Sequence, residues 1–582
     1  MKNQDLARIF ERIADALEIK GETGFRVLAY RRAARALGEL ANDVSQLDEQ
    51  ERLEDVPGIG AGIARKVHEY LTTGRMAKLD EATGGLPPGL FDMLKVQGVG
   101  PKTVGLVWKE LGVTDLVGLK QAIADGRLAH LPGFGEKKAA NVLQGIRTGE
   151  VTGERMYLNE ALGLADSVIA YLRISPLVRL ATAAGSLRRG AETIGDIDIL
   201  ATGRRPADII AHFLKFPRLQ QVLSAGDTKA SLMVTSGPGL RQVDLRVLAT
   251  GEYGAALQYF TGSKDHNIAL RGLAQRKGLK LSEYGLFKGT RRIAASTEQT
   301  VYAALGLPYI EPELREDRGE IAAAERGTLP EIVTLDDIKG DLHMHTSLSD
   351  GTSTLPEMVA ACRKRGYRYM AVADHSVSAH YAGGLSADAL ERHCDAVDKL
   401  NEGLRGFRVL KANEVDITPA GSLDYPDRVL ARLDYVTGSV HQGFKKNVTQ
   451  RVCDALAHPL LHAISHPTGR VIGRRPGYEV DVEQVIACAA KSGKVLEINS
   501  FYARLDLSDI WARRAAEAGV RIVINTDAHS MADLDWMRYG VLTARRAWLT
   551  KKDVINTLPL ARLLRLLADI RAGKTMPGAD SR

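Results

Sequence analysis

Cysteine is scarce: four in 582 residues (Cys362, Cys394, Cys453 and Cys488), and no two with CxxC spacing. That scarcity argues against a disulfide framework and against a thiolate zinc site. No apolar run is long enough to span a bilayer, and Met1 to Lys20 is charged and amphipathic, without the apolar core of a signal peptide. The expectation is a cytoplasmic protein with no membrane partner. Histidine is thin before residue 340, where only His68, His130, His212 and His266 stand; the other ten of the fourteen follow. A change of chemistry is expected there. Charge is not extreme either. With 78 Lys+Arg against 71 Asp+Glu, the net +7 suits a polyanionic partner only if the positive charge is concentrated in one part.

What is present begins with length, since 582 residues exceed one core and imply three or four compact units. Residues 1 to about 150 carry helical periodicity, interrupted by three related elements: Val56-Pro57-Gly58-Ile59-Gly60, Val96-Gln97-Gly98-Val99-Gly100 and Leu131-Pro132-Gly133-Phe134-Gly135. Each precedes a helix-forming run with basic residues (Arg65 and Lys66; Lys102; Lys137 and Lys138). Glycine lets the backbone approach a ligand closely, and the following helix offers its first N–H groups to a phosphate. The pattern resembles the helix-hairpin-helix motif, which grips nucleic-acid backbone without reading sequence. Gly58, Gly60, Gly98, Gly100, Gly133, Gly135 and Lys66 are the expected DNA contacts.

Next comes Gly185-Ser186-Leu187-Arg188-Arg189-Gly190, leading into Gly195-Asp196-Ile197-Asp198-Ile199-Leu200. Alternation there predicts a strand that projects Asp196 and Asp198 from one face, where their repulsion calls for a cation. A second alternating strand, Gln242 to Val247, supplies Asp244 as a third carboxylate. Three aspartates beside a phosphate-binding loop suit two Mg²⁺ ions in nucleotidyl transfer.

Beyond a charged stretch expected to be a linker, seven apolar runs alternate with helical segments: Asp341 to His345, Tyr369 to His375, Val409 to Glu414, Tyr435 to His441, His462 to His466, Val495 to Asn499 and Arg521 to Asp527. This rhythm predicts a parallel barrel with its site at the strands' C-terminal ends. His343, His345, Asp350, His375, Glu414, His441, His466, Asp527 and His529 fall at or just past those ends. Mixed imidazole and carboxylate ligands suit Mn²⁺, Zn²⁺ or Fe²⁺. Arg470, Arg474 and Arg475 are candidates for substrate phosphates, and Leu558 to Ile570 is expected to be an amphipathic helix packed on the barrel.

Gly185 to Asp198, Asp244 and Tyr259-Phe260-Thr261-Gly262-Ser263 together resemble the palm and thumb of family X DNA polymerases. The segment from 337 to 575 resembles a PHP (polymerase and histidinol phosphatase) domain, and the order of the two is that of the bacterial members. The resemblance implies helical DNA-binding regions (1–80 and 81–150), an α/β nucleotidyltransferase palm (151–250), a thumb (251–312), a linker (313–336) and a (β/α)7 barrel (337–575). It implies templated insertion of deoxynucleoside triphosphates into gapped or primer-template DNA in repair, in a bacterial cytoplasm with nucleoid association through DNA. It also implies a Mn²⁺- or Zn²⁺-dependent 3′→5′ exonuclease holding three ions, with 3′-phosphatase or abasic-site cleavage as further activities. Gly185, Ser186, Arg189 and Arg155 would hold the triphosphate. Tyr259, Phe260 and Gly262 would pack on the sugar, and Asn267 and Arg271 would reach the nascent pair. Lys66 stands where the family's lyase forms a Schiff base, although Gly62 and Arg26 depart from the pattern and phosphate contact remains its alternative role. Lys264 departs from the animal members. Two other classes stay open: a template-independent nucleotidyltransferase, and a DNA-binding scaffold with a structural barrel.

Overall fold

The computed structural model describes residues 2–38, 40, 44–94, 96, 99–131, 134–136, 139, 142–143, 155–237 and 239–574. By contact the chain forms two units, 1–154 with 217–225 and 230–242, and 155–216 with 226–229 and 243–582.

In the first unit, helix α1 (Lys2–Lys20) buries Leu6, Phe10, Ile13 and Leu17, one stripe at helical spacing, against α2 (Phe25–Gly38). Helices α3 (Ala61–Thr73) and α4 (Pro101–Leu111) each follow a glycine hairpin. Gly105 of α4 lies so close to α1 that a Cβ would collide with the Ile19 carbonyl. The three hairpins repeat one geometry: Ile59, Val99 and Phe134 donate backbone N–H to Val56, Val96 and Leu131 at 2.9, 3.0 and 2.9 Å. Gly58 needs its missing side chain, at φ +99°. Gly60, Gly100 and Gly135 are different, because a Cβ on any of them would meet only open space. Gly98, Gly133, Lys137 and Lys138 lie outside the described residues.

The second unit opens with α5 (Leu158–Ile174), then β1 (Val178–Ala183), β2 (Ile197–Gly203) and β3 (Gly239–Leu248). Strand β2 pairs antiparallel with β1 and parallel with β3, in a register that sets Asp198 opposite Asp244. Helices α6 (Tyr253–Thr261) and α7 (Lys264–Arg276) follow, with Ser263 capping α7 through the His266 N–H.

Seven parallel strands then pair in sequence order: β4 (Gly340–Asp341), β5 (Tyr369–Val372), β6 (Arg408–Asp416), β7 (Tyr435–Ser439), β8 (Ala463–Ile464), β9 (Val495–Asn499) and β10 (Ile522–Asn525). Backbone bonds from Asp527 N to His343 O (3.0 Å) and from His345 N to Ala528 O (2.8 Å) bring the last strand back to the first. A period of two sorts the strand residues. Met370, Val372, Val409, Val436, Leu496 and Ile524 face the surrounding helices, whereas Leu342, Tyr369, Ala371, Leu410, Ala412, Tyr435, Val495 and Val523 form a separate core. That core also holds Leu563, Leu566, Leu567 and Ile570 of α9 (Leu560–Arg571), so the tail helix packs on the barrel as expected. Between them, α8 (Met537–Arg546) lines the barrel's flank. No helix among the described residues is long and apolar enough to cross a membrane.

Two expectations need correcting. Cys453 and Cys488 form a disulfide, because the neighbouring helices Val448–Leu456 and Val482–Ser492 bring together cysteines 35 positions apart. Spacing in sequence holds no record of that helix contact. The stretch 313–336 is also packed rather than linker-like. Arg315 is wholly buried, donating to Glu298 Oε1 (2.6 Å) and to the Ile310 carbonyl (2.9 Å), and Glu313 and Glu320 are buried beside it. Its charges are spent inward, on partners that sequence alone does not identify.

Replacing Arg315 by Met leaves Glu298 with one guanidinium fewer in a dry site. The expected loss is about 3–5 kcal/mol of stability in denaturant unfolding; a loss below about 1 kcal/mol would contradict the buried pairing.

Candidate active sites

The polymerase-like site is assembled where β2 meets the Gly185 loop. Ala184 donates its N–H to the Asp198 carbonyl (2.8 Å), turning the chain so that Gly185, at φ +60°, lies directly against the Asp198 carboxylate. Any side chain at 185 would occupy the place of that carboxylate. Burial and then the neighbouring charges of Asp196 and Asp244 push Asp198 up to about 7. Burial and Asp244 raise Asp196 as well. Arg155, held by the Thr193 hydroxyl and carbonyl (2.8 and 2.6 Å), pulls Asp196 the other way. Two carboxylates raised by burial and by the charges beside them mark a site short of positive charge, and divalent cations fit it.

The paired arginines of the loop divide their work. Arg188, absent from the expected set, makes a two-pronged pair with Glu298 (2.8 and 2.6 Å) and bonds the Thr261 hydroxyl (2.7 Å). Arg189 donates to Glu316 (3.0 Å) and to the Thr261 carbonyl (2.7 Å). The Tyr259–Phe260 pair is half-buried with rings edge-on at 5.1 Å, and Arg246 lies over Phe260 at 4.6 Å. Asn267 fixes this turn by donating to the Tyr259 carbonyl (2.6 Å) and accepting from Gln258 (3.0 Å); Arg271 in turn bonds the Asn267 carbonyl (3.2 Å). Ser186 and Gly262 lie in the same two turns, as expected.

The barrel gathers all nine expected residues at one end. Three sets have ligand atoms within 4.8 Å of one another: His345, Asp350, His375 and His529; His343, His345 and Asp527; and His375, Glu414 and His441. The sets share His345 and His375, and His466 joins through Glu414 at 2.9 Å. Glu414 also faces His375 (2.9 Å), His343 and His441 (both 3.5 Å). With His345 at 3.7 Å, it sits among five imidazoles.

The donor chemistry tests whether cations belong here. His343 Nε2 and His345 Nε2 lie 3.2 Å apart. His345 Nδ1 and His466 Nδ1 are buried without a hydrogen-bond partner among the described residues. Buried donors and acceptors left in this way are what metal ions satisfy, so the residues fit a multinuclear divalent centre. His466 and Asp527 hold their backbones in the left-handed region, at φ +28° and +55°, to aim inward. Burial lowers His375, but Glu414 and Asp350 outweigh it and raise the ring to about 10.

Sequence reasoning missed the carboxylates behind the imidazoles. Glu497 accepts from His343 Nδ1 (2.8 Å), Asn525 (2.8 Å) and the His466 N–H (3.1 Å), and Asp416 pairs with His441 Nδ1 (3.0 Å). Such partners fix the tautomer and orientation of a metal-binding imidazole. Their signal was available: 495-497-499 and 410-412-414-416 are inward-facing series that turn from apolar to polar toward one end. Of the arginines proposed for substrate phosphates, two have partners within the protein. Arg470 is spent on Glu192 and on the Arg504 and Leu505 carbonyls, and Arg475 bonds the Gly469 carbonyl and stacks on Phe444.

The Gly185 loop is tied to the barrel's flank by ion pairs within the second unit. Glu316 accepts from Arg189 and, at 2.7 Å, from Arg546 of α8. Arg546 also bonds the Arg189 carbonyl and Asp509 (both 3.0 Å), and Arg318 reaches the same Asp509 at 2.8 Å. Gly190 packs on Leu542 of α8.

Lys66 in the first unit donates to the Gly62 carbonyl (2.8 Å), and burial and the nearby charges of Arg65 and Lys78 lower its pKa.

Family comparisons agree with this geometry. A helix-hairpin-helix domain matches residues 1–76 and a SAM-like helix-hairpin-helix tandem 91–148. The DNA polymerase beta thumb matches 256–316, and the PHP domain 341–500. A DNA polymerase/3′-5′ exonuclease PolX of Bacillus subtilis (strain 168) is 39% identical over 565 residues, 96% of this chain and 98% of that protein. DNA polymerase lambda of Rattus norvegicus is 30% identical over 342 residues, 54% of this chain and 56% of its own. A probable phosphatase of Thermoanaerobacter sp. (strain X514) is 30% identical over 238 residues, 37% of this chain and 89% of its own. With a relative this similar along nearly its whole length, the chain belongs to the family X DNA polymerases that carry a C-terminal PHP domain.

Proposed function

We propose that this protein is a DNA repair polymerase with a second, hydrolytic centre, filling short gaps from the palm and trimming 3′ ends in the barrel. The observation that carries the reading is the pair of separate carboxylate- and imidazole-rich centres in one unit, one beside a glycine loop and one at a barrel mouth. In the palm, Asp196, Asp198 and Asp244 hold divalent cations, Mg²⁺ being the natural choice for oxygen ligands. Arg189, Arg155, Ser186 and the Gly185 backbone bind the triphosphate, while Tyr259, Phe260 and Gly262 pack on the sugar. The primer 3′-oxygen bonds to the α-phosphorus and pyrophosphate departs. Asn267 positions the Tyr259 turn, and Arg271 reaches toward the nascent pair.

In the barrel, His343, His345, Asp350, His375, Glu414, His441, His466, Asp527 and His529 hold up to three ions, Mn²⁺ or Zn²⁺ by ligand type. When bound, such ions polarise a phosphoryl oxygen and make water a better nucleophile at neutral pH. Glu497 and Asp416 orient the imidazoles. Hydrolysis adds water's oxygen to phosphorus, breaks the P–O3′ bond and leaves a 3′-hydroxyl and a nucleoside 5′-monophosphate. The match to a probable phosphatase favours a second reading of the same centre, removal of a 3′-phosphate. Gapped DNA is held by the hairpins, whose open glycines Gly60, Gly100 and Gly135 leave room for a phosphate backbone. The lowered pKa of Lys66 also favours a lyase amine there, a Schiff base that borohydride would trap.

On a one-nucleotide gap with Mg²⁺ or Mn²⁺, Asp198→Ala should abolish templated insertion and leave 3′ degradation intact, and His343→Ala should do the reverse. A chelator should stop both. Insertion of every nucleotide regardless of template would sink the polymerase reading in favour of a template-independent transferase. Glu497→Gln should lower exonuclease rate and barrel metal content about 10–100-fold with gap filling unchanged, and elemental analysis of the dialysed protein reads the metal directly.

A further inference from the structure

At the barrel mouth an aromatic ring stands in water where packing does not require it. Tyr381 is 72% exposed, yet its ring centre lies 6.3 Å from that of His375 and 6.2 Å from that of His441. The loop carrying it is fastened on both sides. Leu385 donates its N–H to the His375 carbonyl (2.9 Å), Ser378 bonds Asp424 through N–H and hydroxyl (2.7 and 2.6 Å), and Gln442 reaches the Ser378 carbonyl (2.9 Å). The ring is therefore presented in place. Leu348, two residues before Asp350, and Met531, two after His529, are exposed by 47% and 41%, which adds an apolar rim at loops that carry metal-ligand candidates.

A second feature lies in the loop that follows β9. Arg504 has a buried Nη1 with no hydrogen-bond partner among the described residues. Its backbone is held by Arg470, which donates to the Arg504 carbonyl (2.9 Å), and its charge acts on Tyr381, Tyr478 and Asp506. A guanidinium N–H buried without a partner costs free energy unless an anion completes it.

We infer that Tyr381 and Arg504 form the seat for the last nucleotide of a DNA 3′ end, the tyrosine stacking on its base and the arginine pairing with a backbone phosphate. Stacking fits because an unpaired base offers its face without regard to sequence. A trimming site needs that tolerance. The inference rests on the nuclease reading above and gives its barrel a preference for a terminus that bears a base.

The test uses the full-length Mn²⁺-loaded protein and two single strands, one ending in thymidine and one in a base-free tetrahydrofuran residue. Wild type should favour the thymidine end in kcat/KM, chiefly through KM. Tyr381→Ala should erase that preference by cutting kcat/KM on the thymidine end about tenfold, with the base-free end and gap filling little changed. Tyr381→Phe and Tyr381→Trp should retain it. Arg504→Gln should weaken both ends alike, and Arg504→Lys should recover part. Independently of turnover, a strand ending in 5-iododeoxyuridine through a phosphorothioate linkage should photo-cross-link to the peptide containing Tyr381. Unchanged end preference in Tyr381→Ala, or a Tyr381→Phe variant as impaired as Tyr381→Ala, would overturn the stacking role. Arg504→Gln with full activity on both ends would overturn the phosphate contact. A wild-type protein inert on both strands would instead overturn the nuclease reading, and this inference with it.

Discussion

The carboxylate of Glu316 is shared. Arg189, from the loop that faces the palm aspartates, donates to it from one side, and Arg546, from a helix flanking the barrel, donates from the other. Arg546 continues to Asp509 and Asp509 to Arg318, so charges of alternating sign run from the Gly185 loop onto the barrel's flank. Buried ion pairs contribute little net stability, because desolvation offsets much of the attraction. What such a chain does supply is geometry, since each guanidinium plane fixes the carboxylate it grips. The loop that ends at Gly190 has its far side defined by barrel residues, Leu542 and Arg546. In this molecule, the shape of the nucleotide loop depends on the hydrolytic half of the chain.

The two centres solve opposite electrostatic problems. The palm has three acids within one another's field, and burial raises the cost of that charge, as the elevated Asp198 records. Arg155, Arg189 and Arg246 offset part of it, and Asp196 and Asp198 still stay raised. The barrel mixes imidazoles with carboxylates so that Glu414 and Asp527 are held well below the usual carboxylate range, despite burial, by the surrounding histidines. Its difficulty is crowding of donors and lone pairs. The first offers oxygen atoms alone to a cation, and the second offers nitrogen and oxygen together.

Much of this was legible in sequence, and the reason is periodicity. Strand alternation exposed Asp196 and Asp198, and the recurrence of polar residues at the ends of seven apolar runs marked the barrel and the nine residues that cluster at its end. Three glycine hairpins repeated clearly enough to mark the helical region. What escaped was pairing between distant segments. Nothing around Glu316 or Arg546 reads differently from an exposed charge, and Arg315 sits in a stretch whose composition suggests a linker, yet Arg315 and Arg546 are buried and Glu316 is half-buried. The same blindness hid the Cys453–Cys488 disulfide and the engagement of Arg470 with Glu192. Glu497 is a different case, since its place in an inward-facing series was visible and only the attention given to histidine obscured it.

The tail helix α9 has a consequence for traffic. By filling the far end of the barrel with Leu563, Leu567 and Ile570, it leaves the metal-ligand end as the opening. A tunnel would let a strand thread forward while products left behind it, but a cup cannot. Whatever is cut at the floor must depart past the rim by which the strand arrived, so each released nucleotide and the shortened end compete for one doorway.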